Sequence, residues 1–272
     1  CFMGLGNPVV DQKVYALQEF FRRHRLQTLM EVRMRDEKQE LRAIENFRRI
    51  HVDGIVLLYS ELTTEAAVAA VGDTPCVQVD PHFPQTLPAV SLDRHRAMAL
   101  LMEHLLKLGH RRFALFGPGR KDFWRWPALV EISRKHGIDA DAVFIDFPDL
   151  AASGTSLEQG QTMAKAFLAL KQRPTAILAS NDQIAISAIH TLHAAGVVTP
   201  RDVSVTGFDH IEFGRKLHPT LTTIDQNSVQ MMDHAGQLLL QRIKVSDGKR
   251  NAQRIDMIEP QFILGESTGP AP

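Results

Sequence analysis

Cysteine is scarce in this chain: there are two in 272 residues, Cys1 and Cys76. One stands at the terminus and the other where a strand is expected to open, so a disulfide scaffold is not implied, and a reducing compartment suits the sequence better than an oxidising one. Net charge is missing as well. Lys+Arg and Asp+Glu both number 31, so the totals show no basic stripe strong enough to hold nucleic acid. The arginine clusters at Arg22, Arg23 and Arg25 and at Arg48 and Arg49 sit among acids and read as solvated helix faces. No apolar run approaches the roughly 20 residues of a membrane-spanning helix. No signal-peptide pattern opens the chain, although a mature secreted protein would lack one too.

Several short patterns resemble active sites and lack the context each would need. Gly265-Glu-Ser-Thr-Gly269 spells a nucleophile elbow, but no helix, acid or histidine follows it, so it is expected to be a frayed terminal strand. Gly4-Leu-Gly6 and Gly117-Pro-Gly119 do not complete a dinucleotide fingerprint and read as strand-to-helix turns. His190 and His193 stand three apart on an expected helix, with no acid or cysteine spaced to complete a metal site. No catalytic residue, metal or cofactor is therefore expected.

The most informative stretch runs from Pro174 to Asp209. Ala176–Ala179 is a short apolar run of the kind that forms a strand buried on both faces. Ser180, Asn181 and Asp182 are helix-capping types. Ala185, Ala188, Ile189 and Leu192 then recur with helical spacing. A second buried strand ends at Gly207, with Phe208 and Asp209 just beyond it. Asn181 and Asp209 thus lie where two parallel strands end, the edge at which open α/β sheets bind ligands. Strand and helix alternate elsewhere too, with strands expected at 2–5, 26–32, 54–59, 75–79, 89–92, 113–116, 142–145 and 221–224. The fold class is therefore α/β, as two doubly wound parallel-sheet lobes. Composition alone would divide them near Pro88.

Four pieces, in order, carry a resemblance: VSLDRHRAMALLMEHLLKLGHRR (90–112), SNDQIAISAI with SVTGFD (180–209), HPTLTTIDQN (218–227) and EPQFILGEST (259–268). Together they resemble the effector-binding domain of the lactose/galactose repressor family of bacterial transcription regulators, whose fold is periplasmic-binding-protein-like, type I. The resemblance implies three crossovers between lobes, near Leu92, Ile224 and Glu259. The lobes would then be 1–91 with 224–258, and 92–223 with 259–272, with an effector cleft between them.

The same resemblance supplies site residues. Arg125 matches the arginine that grips effector, and its fork of donors suits vicinal hydroxyls or a carboxylate. Trp124 offers a flat face to a sugar ring. Asn181, Phe208 and Asp209 line the cleft from the second lobe and Asp80 from the first, while Asp182 reads as a structural cap. Val9 and Val10 replace a usual aromatic pair, and Ser228 stands where some members carry an aromatic. Arg120 and Lys121 are the only cations near enough to help a phosphate.

The function so implied is effector sensing by a cytoplasmic regulator, with a small molecule, best a sugar, controlling DNA binding by an N-terminal helix-turn-helix domain expected to be absent from 1–272. Operator DNA would be a partner only through that domain, so 1–272 alone is not expected to bind duplex. A periplasmic sugar-binding protein for transport is the alternative, but the LGHRR and TTIDQN pieces favour the regulator. A hydrolase lacks its triad. A homodimer is expected, with the small apolar segment Thr63–Val71, and Ala66, Ala69 and Ala70 in particular, near the twofold axis.

Overall fold

The computed structural model describes residues 2–3, 7–33, 36–82, 87–120, 123, 125–150, 154–244 and 254–272. In chain order the elements are β1 (Phe2–Met3), α1 (Pro8–Arg23), β2 (Val32–Arg33), α2 (Glu37–Arg49), β3 (Ile55–Leu58), α3 (Thr64–Val71), β4 (Cys76–Val79), β5 (Ala89–Leu92), α4 (Arg94–Lys107), β6 (Phe113–Phe116), α5 (Trp126–Lys135), α6 (Ala140–Val143) and β7 (Phe144–Asp146). There follow a 3-10 turn (Pro148–Leu150), α7 (Ser156–Leu168), β8 (Ala176–Ala179), α8 (Asp182–Ala194), β9 (Ser204–Thr206), α9 (Glu212–Lys216), β10 (Thr223–Asp225), α10 (Ser228–Ile243), β11 (Ile255–Ile258) and β12 (Gln261–Ile263). The chain forms two compact units, Cys1–Asp93 with Asn227–Glu259, and Arg94–Gln226 with Pro260–Pro272. It therefore passes between them three times.

The first unit is a six-stranded sheet in the order β11-β5-β4-β3-β1-β2, parallel throughout. Asn7 starts α1 by accepting the Val9 amide at 3.1 Å, with Pro8 at the first helical position, where its missing N–H costs nothing. On one face α1 packs along α10, and Phe20 lies so close to Gly236 that any Cβ there would strike its ring. On the other face α2 and α3 close over Ile44, Phe47, Ile55, Leu57, Leu62 and Val71. The expected strand 26–32 shrinks to Val32–Arg33, and 26–31 runs as irregular chain. Cys76 is fully buried, and burial pushes its thiol up to about 12, which makes it an inert core residue.

One core residue works against this unit. Gln78 is 0% exposed, and by strand alternation it shares the apolar face of Cys76. Neither its Nε2 nor its Oε1 has a hydrogen-bond partner among the described residues. A buried unpaired amide costs about 1–3 kcal/mol. Gln78→Met keeps the shape and removes the polar atoms, so urea unfolding should show a gain of that order; a loss would mean that the amide is satisfied by water.

The second unit is a four-stranded parallel sheet, β7-β6-β8-β9, extended by one parallel bridge between Thr206 and Thr222. β10 and β12 form a separate antiparallel pair. β7 starts two residues later than the sequence suggested, because Asp139 caps α6 through the Asp141 amide (3.0 Å) and holds 140–143 helical. The tail expected to fray is instead pinned. Ser267 is fully buried; its Oγ donates to the Val205 carbonyl at 2.6 Å, and its own carbonyl accepts the Val205 amide at 2.8 Å. His110, also buried, meets Thr175 Oγ1 at 2.8 Å and the Gly269 carbonyl at 3.0 Å. The serine of the apparent elbow is thus a structural hydrogen bonder.

Candidate functional site

The parallel strands of the second unit end together, and the residues that follow them build one edge. β6 gives way to Gly117, whose φ of +146° and proximity to the Ser180 side chain admit only glycine. β8 gives way to Ser180, Asn181 and Asp182. β9 gives way to Gly207, Phe208, Asp209 and His210, where Asp209 (φ +115°) and His210 (φ +53°) take backbone conformations that L-residues adopt rarely. Such strain persists only where surrounding structure enforces it, and it concentrates at functional edges.

Arg125 stands just ahead of α5 and is 9% exposed. Its guanidinium carbon lies 4.1 Å from the Phe208 ring centroid and 4.8 Å from that of Phe123, and Nη2 donates to the Ser180 carbonyl at 2.8 Å. A guanidinium set over two rings while one of its nitrogens bonds a carbonyl suits arginine better than lysine. Phe208 therefore holds the arginine instead of presenting a bare face. Asp209 is 8% exposed; its amide donates to the Ile224 carbonyl at 2.9 Å, and its Oδ1 accepts from Gln226 Nε2. The edge so places a fixed cationic fork and an oriented carboxylate on one sheet end. Beside them, His210 Nδ1 lies 3.0 Å from Asp225 Oδ2.

Asn181 caps α8 by accepting the Ile184 amide at 2.9 Å, and its Nδ2 donates to Ser156 Oγ at 3.2 Å. Asp182 is buried behind the edge. Thr223 Oγ1 donates to its Oδ1 at 2.6 Å and the Ile211 amide to its Oδ2 at 2.8 Å. Burial first, then the charge of Asp209, lift its carboxyl to about 8, against the pull of those donors. The folded value lies above the ordinary 3.8, so the folded state binds the extra proton and its stability falls as pH rises from about 4 to about 8. Asp182→Asn should flatten this part of the profile. Melting of wild type and variant in parallel between pH 4.5 and 8.5 checks it; an unchanged difference at both ends would show Asp182 ionised throughout. The parallel design is needed because His104 and His110, both lowered chiefly by burial, lose stability in the opposite direction, below the ordinary histidine value.

At the carboxyl edge of the first unit, Asp80 stands at φ +49° and Tyr59 at φ +55°. Asp80 was expected to face ligand, but both its oxygens are engaged. Oδ2 takes the Lys13 ammonium at 2.7 Å and Oδ1 the Leu92 amide at 3.0 Å. Lys13 also donates to Tyr59 Oη at 2.8 Å, and its ammonium lies 4.9 Å from that ring's centroid. Both charged side chains are 0% exposed. Burial pulls the Lys13 pKa down, but the Asp80 charge and the two hydrogen bonds outweigh it, so the net shift is upward. Lys13 is missing from the sequence-based site; its signal is a lysine on the inward stripe with Val9, Val10, Ala16 and Phe20. Gln226 and Phe123 were missed as well, although Gln226 lies inside the TTIDQN piece.

Trp124 lies outside the described residues, as does Lys121. Trp126 meets Phe144 edge-on, with ring centroids 5.3 Å apart, and Arg120 covers its ring at 4.9 Å. Arg120 is itself committed to Asp141 (2.8 Å) and Asp146 (3.2 Å). Among the described residues no three His, Cys, Asp or Glu side chains gather as a metal site would require, and no helix is long and apolar enough to cross a membrane.

Parallel sheets flanked by helices, in two units threaded three times by one chain, define a fold of the periplasmic-binding-protein type. The model of the periplasmic binding protein-like domain matches residues 102–268, and the chain belongs to that family, as an effector-binding domain of the lactose-repressor kind. It is 24% identical to the ribose operon repressor of Haemophilus influenzae, over 96% of this chain and 78% of that one. It is 28% identical to the helix-turn-helix transcriptional repressor CytR of Escherichia coli, over 86% of this chain and 68% of that one. A LacI family regulator from Enterococcus faecium, solved with bound ribose, superposes with a TM-score of 0.82 at 24% identity, covering 99% of this chain and 98% of that one. The role of the chain is regulatory, and the relatives named are transcriptional repressors.

Proposed function

We propose that this chain senses a small polyhydroxylated molecule, a neutral sugar, and that occupancy sets how a helix-turn-helix segment joined to it engages operator DNA in the cytoplasm. The observation that carries the reading is the pairing, on one sheet edge, of Arg125 held between Phe123 and Phe208 with Asp209 held by Gln226. A sugar's vicinal hydroxyls both donate and accept, and a rigid fork beside an oriented carboxylate answers both needs. Asn181 joins them as a second donor and acceptor. Asp80 serves through Lys13, ordering its own edge. A phosphorylated effector fits less well, because Arg120 is tied to two aspartates. The ribose bound to the Enterococcus faecium relative supports a sugar.

A thermal-shift series with pentoses, hexoses, nucleosides, purines and sugar phosphates tests the reading, since any ligand of the folded state raises Tm by mass action. A saturable rise with one or a few neutral sugars is expected. A rise confined to purines or phosphates would overturn the sugar, and none at all would overturn the site.

The chain acts as a homodimer in this reading. On α3, Ala67 and Val71 are buried in their own unit while Val68 is 43% exposed and Ala69 is exposed. The patch available to a partner is thus Val68 and Ala69, not Ala66 and Ala70, which pack on the unit's core. Ala69→Glu would put an unpaired charge into that contact. Light scattering at tens of micromolar should then show dimer for the parent and a shift toward monomer for the variant; an unshifted mass would move the interface off α3.

A further inference from the structure

The turn that leaves β9 is held residue by residue. The Asp209 amide donates to the Ile224 carbonyl at 2.9 Å, and Gln226 Nε2 donates to the Asp209 carboxylate. His210 meets Asp225 Oδ2 through Nδ1 at 3.0 Å, and the Ile211 amide donates to Asp182 Oδ2 at 2.8 Å. Asp209 and His210 both keep positive φ inside this clamp, and strain persists only where the surroundings enforce it. The His210–Asp225 pair stands on the same edge as Asp209. The chain entering β10 runs parallel to β9, with Thr206 bridged to Thr222. Asp225 ends β10, and His210 follows the end of β9. The pair is shielded, with side-chain exposures of 16% for His210 and 30% for Asp225. Nothing in the effector reading has yet used it.

The carboxylate fixes the state of the ring. An ionised aspartate accepts hydrogen bonds and cannot donate them, so Nδ1 carries the proton that the 3.0 Å contact needs. In a neutral imidazole the other nitrogen, Nε2, then holds a lone pair. Among the described residues nothing bonds to Nε2. A sugar calls for such an atom. Each of its hydroxyls donates one hydrogen bond as well as accepting, and a donor left without an acceptor in a desolvated site is costly. Arg125 can only donate. Asp209 accepts, and the Asn181 carbonyl oxygen already takes the Ile184 amide. A further acceptor on this edge therefore decides whether a second hydroxyl of the same sugar is received or penalised.

We infer that His210 is a specificity-determining residue of the effector site. Its Nε2, set as an acceptor by Asp225, takes a hydroxyl of the sugar other than the one Asp209 takes. The site thereby selects a sugar that carries this hydroxyl over the form that lacks it. Asp225 acts through His210, as a positioning residue that holds the tautomer. The inference rests on the sugar reading of this edge and adds to it a second point of recognition.

Calorimetry on the parent, His210→Ala and Asp225→Ala tests it, with the sugar found by thermal shift and with each of its monodeoxy forms. His210→Ala is expected to weaken the full sugar by roughly 2- to 12-fold, the worth of one hydrogen bond. It should leave unchanged the one deoxy form that lacks the hydroxyl concerned. A histidine that merely braces the turn would weaken every form alike, so equal losses across the series would overturn the proposal. Parent-like binding of the full sugar by His210→Ala would overturn it too, while leaving the sugar reading intact. Failure of every sugar to bind the parent would overturn both. Nitrogen–proton NMR of the histidine rings at mildly alkaline pH reads the tautomer with no ligand present. In the parent, His210 should carry its proton on Nδ1. In Asp225→Ala it should return to Nε2, with the same single-hydroxyl loss in calorimetry. A parent ring protonated on Nε2, or on both nitrogens, would overturn the proposal.

Discussion

Lys13→Ala is expected to destabilise the protein by about 3–5 kcal/mol, the usual result of removing one partner from a buried ion pair. Asp80 would keep the Leu92 amide but lose the ammonium 2.7 Å away, in a setting where both charged side chains are 0% exposed. Asp80→Ala should cost a similar amount by stranding Lys13. The informative variant is the double replacement Lys13→Met with Asp80→Leu, which removes both charges at nearly constant volume. Buried pairs often give way to apolar groups with little loss, so most of the stability should return, less the orphaned Leu92 amide. Guanidinium unfolding of the four proteins compares them. Single variants within about 1 kcal/mol of the parent would show that water reaches the pair.

Arg125→Ala and Asp209→Ala are each expected to weaken effector binding by about 2–5 kcal/mol, or roughly 30-fold to several thousand-fold. The folds should survive, since neither side chain lies within the second unit's apolar core, which runs through Phe116, Phe167, Ile177 and Val205. Arg125→Lys should lose nearly as much as alanine, because an ammonium cannot stack between Phe123 and Phe208 while bonding the Ser180 carbonyl. Calorimetry with the sugar found by thermal shift decides, and parent-like affinity in both alanine variants would place the site elsewhere. Asp209→Asn carries a second readout. The Asp209 charge is one of the two forces that raise the Asp182 carboxyl, so its removal should lower the pH at which Asp182 titrates.

The elements legible in the sequence were those whose pattern reports burial directly. Ala176–Ala179 and Phe113–Phe116 are apolar at every position because helices cover both faces, and α8 announces itself by its cap at Asn181 and its apolar stripe. Where the pattern misled, a partner distant in sequence decided. Residues 26–31 have the composition of a strand, but a strand forms only against a neighbour, and on that side β1 supplies two residues. Ser267 looked exposed on a frayed end because nothing local reveals that Val205 and Thr220 bracket it. The same holds at the site. Arg125, Asn181, Phe208 and Asp209 could be named from motif and strand ends, whereas the stacking of Phe208 on Arg125 and the lysine beneath Asp80 join segments whose spacing carries no sign of their meeting.

Threading the chain three times between units has a bearing on its synthesis. α10 packs along α1 and completes the first unit, but residues 94–226 are translated between β5 and α10. At the usual 5–20 residues per second, about 7–27 s separate them. Through that interval the nascent first unit carries Phe20 and its neighbours on a bare face, with no helix to receive them. The second unit is nearly complete before the first can close, yet it too awaits Ser267 and Gly269, which are translated after α10 and β12. Each unit therefore waits for residues translated well after its own sheet. Substitutions along the α1–α10 seam should show first as loss of yield to chaperones and proteases, well before they register in the stability of the finished molecule.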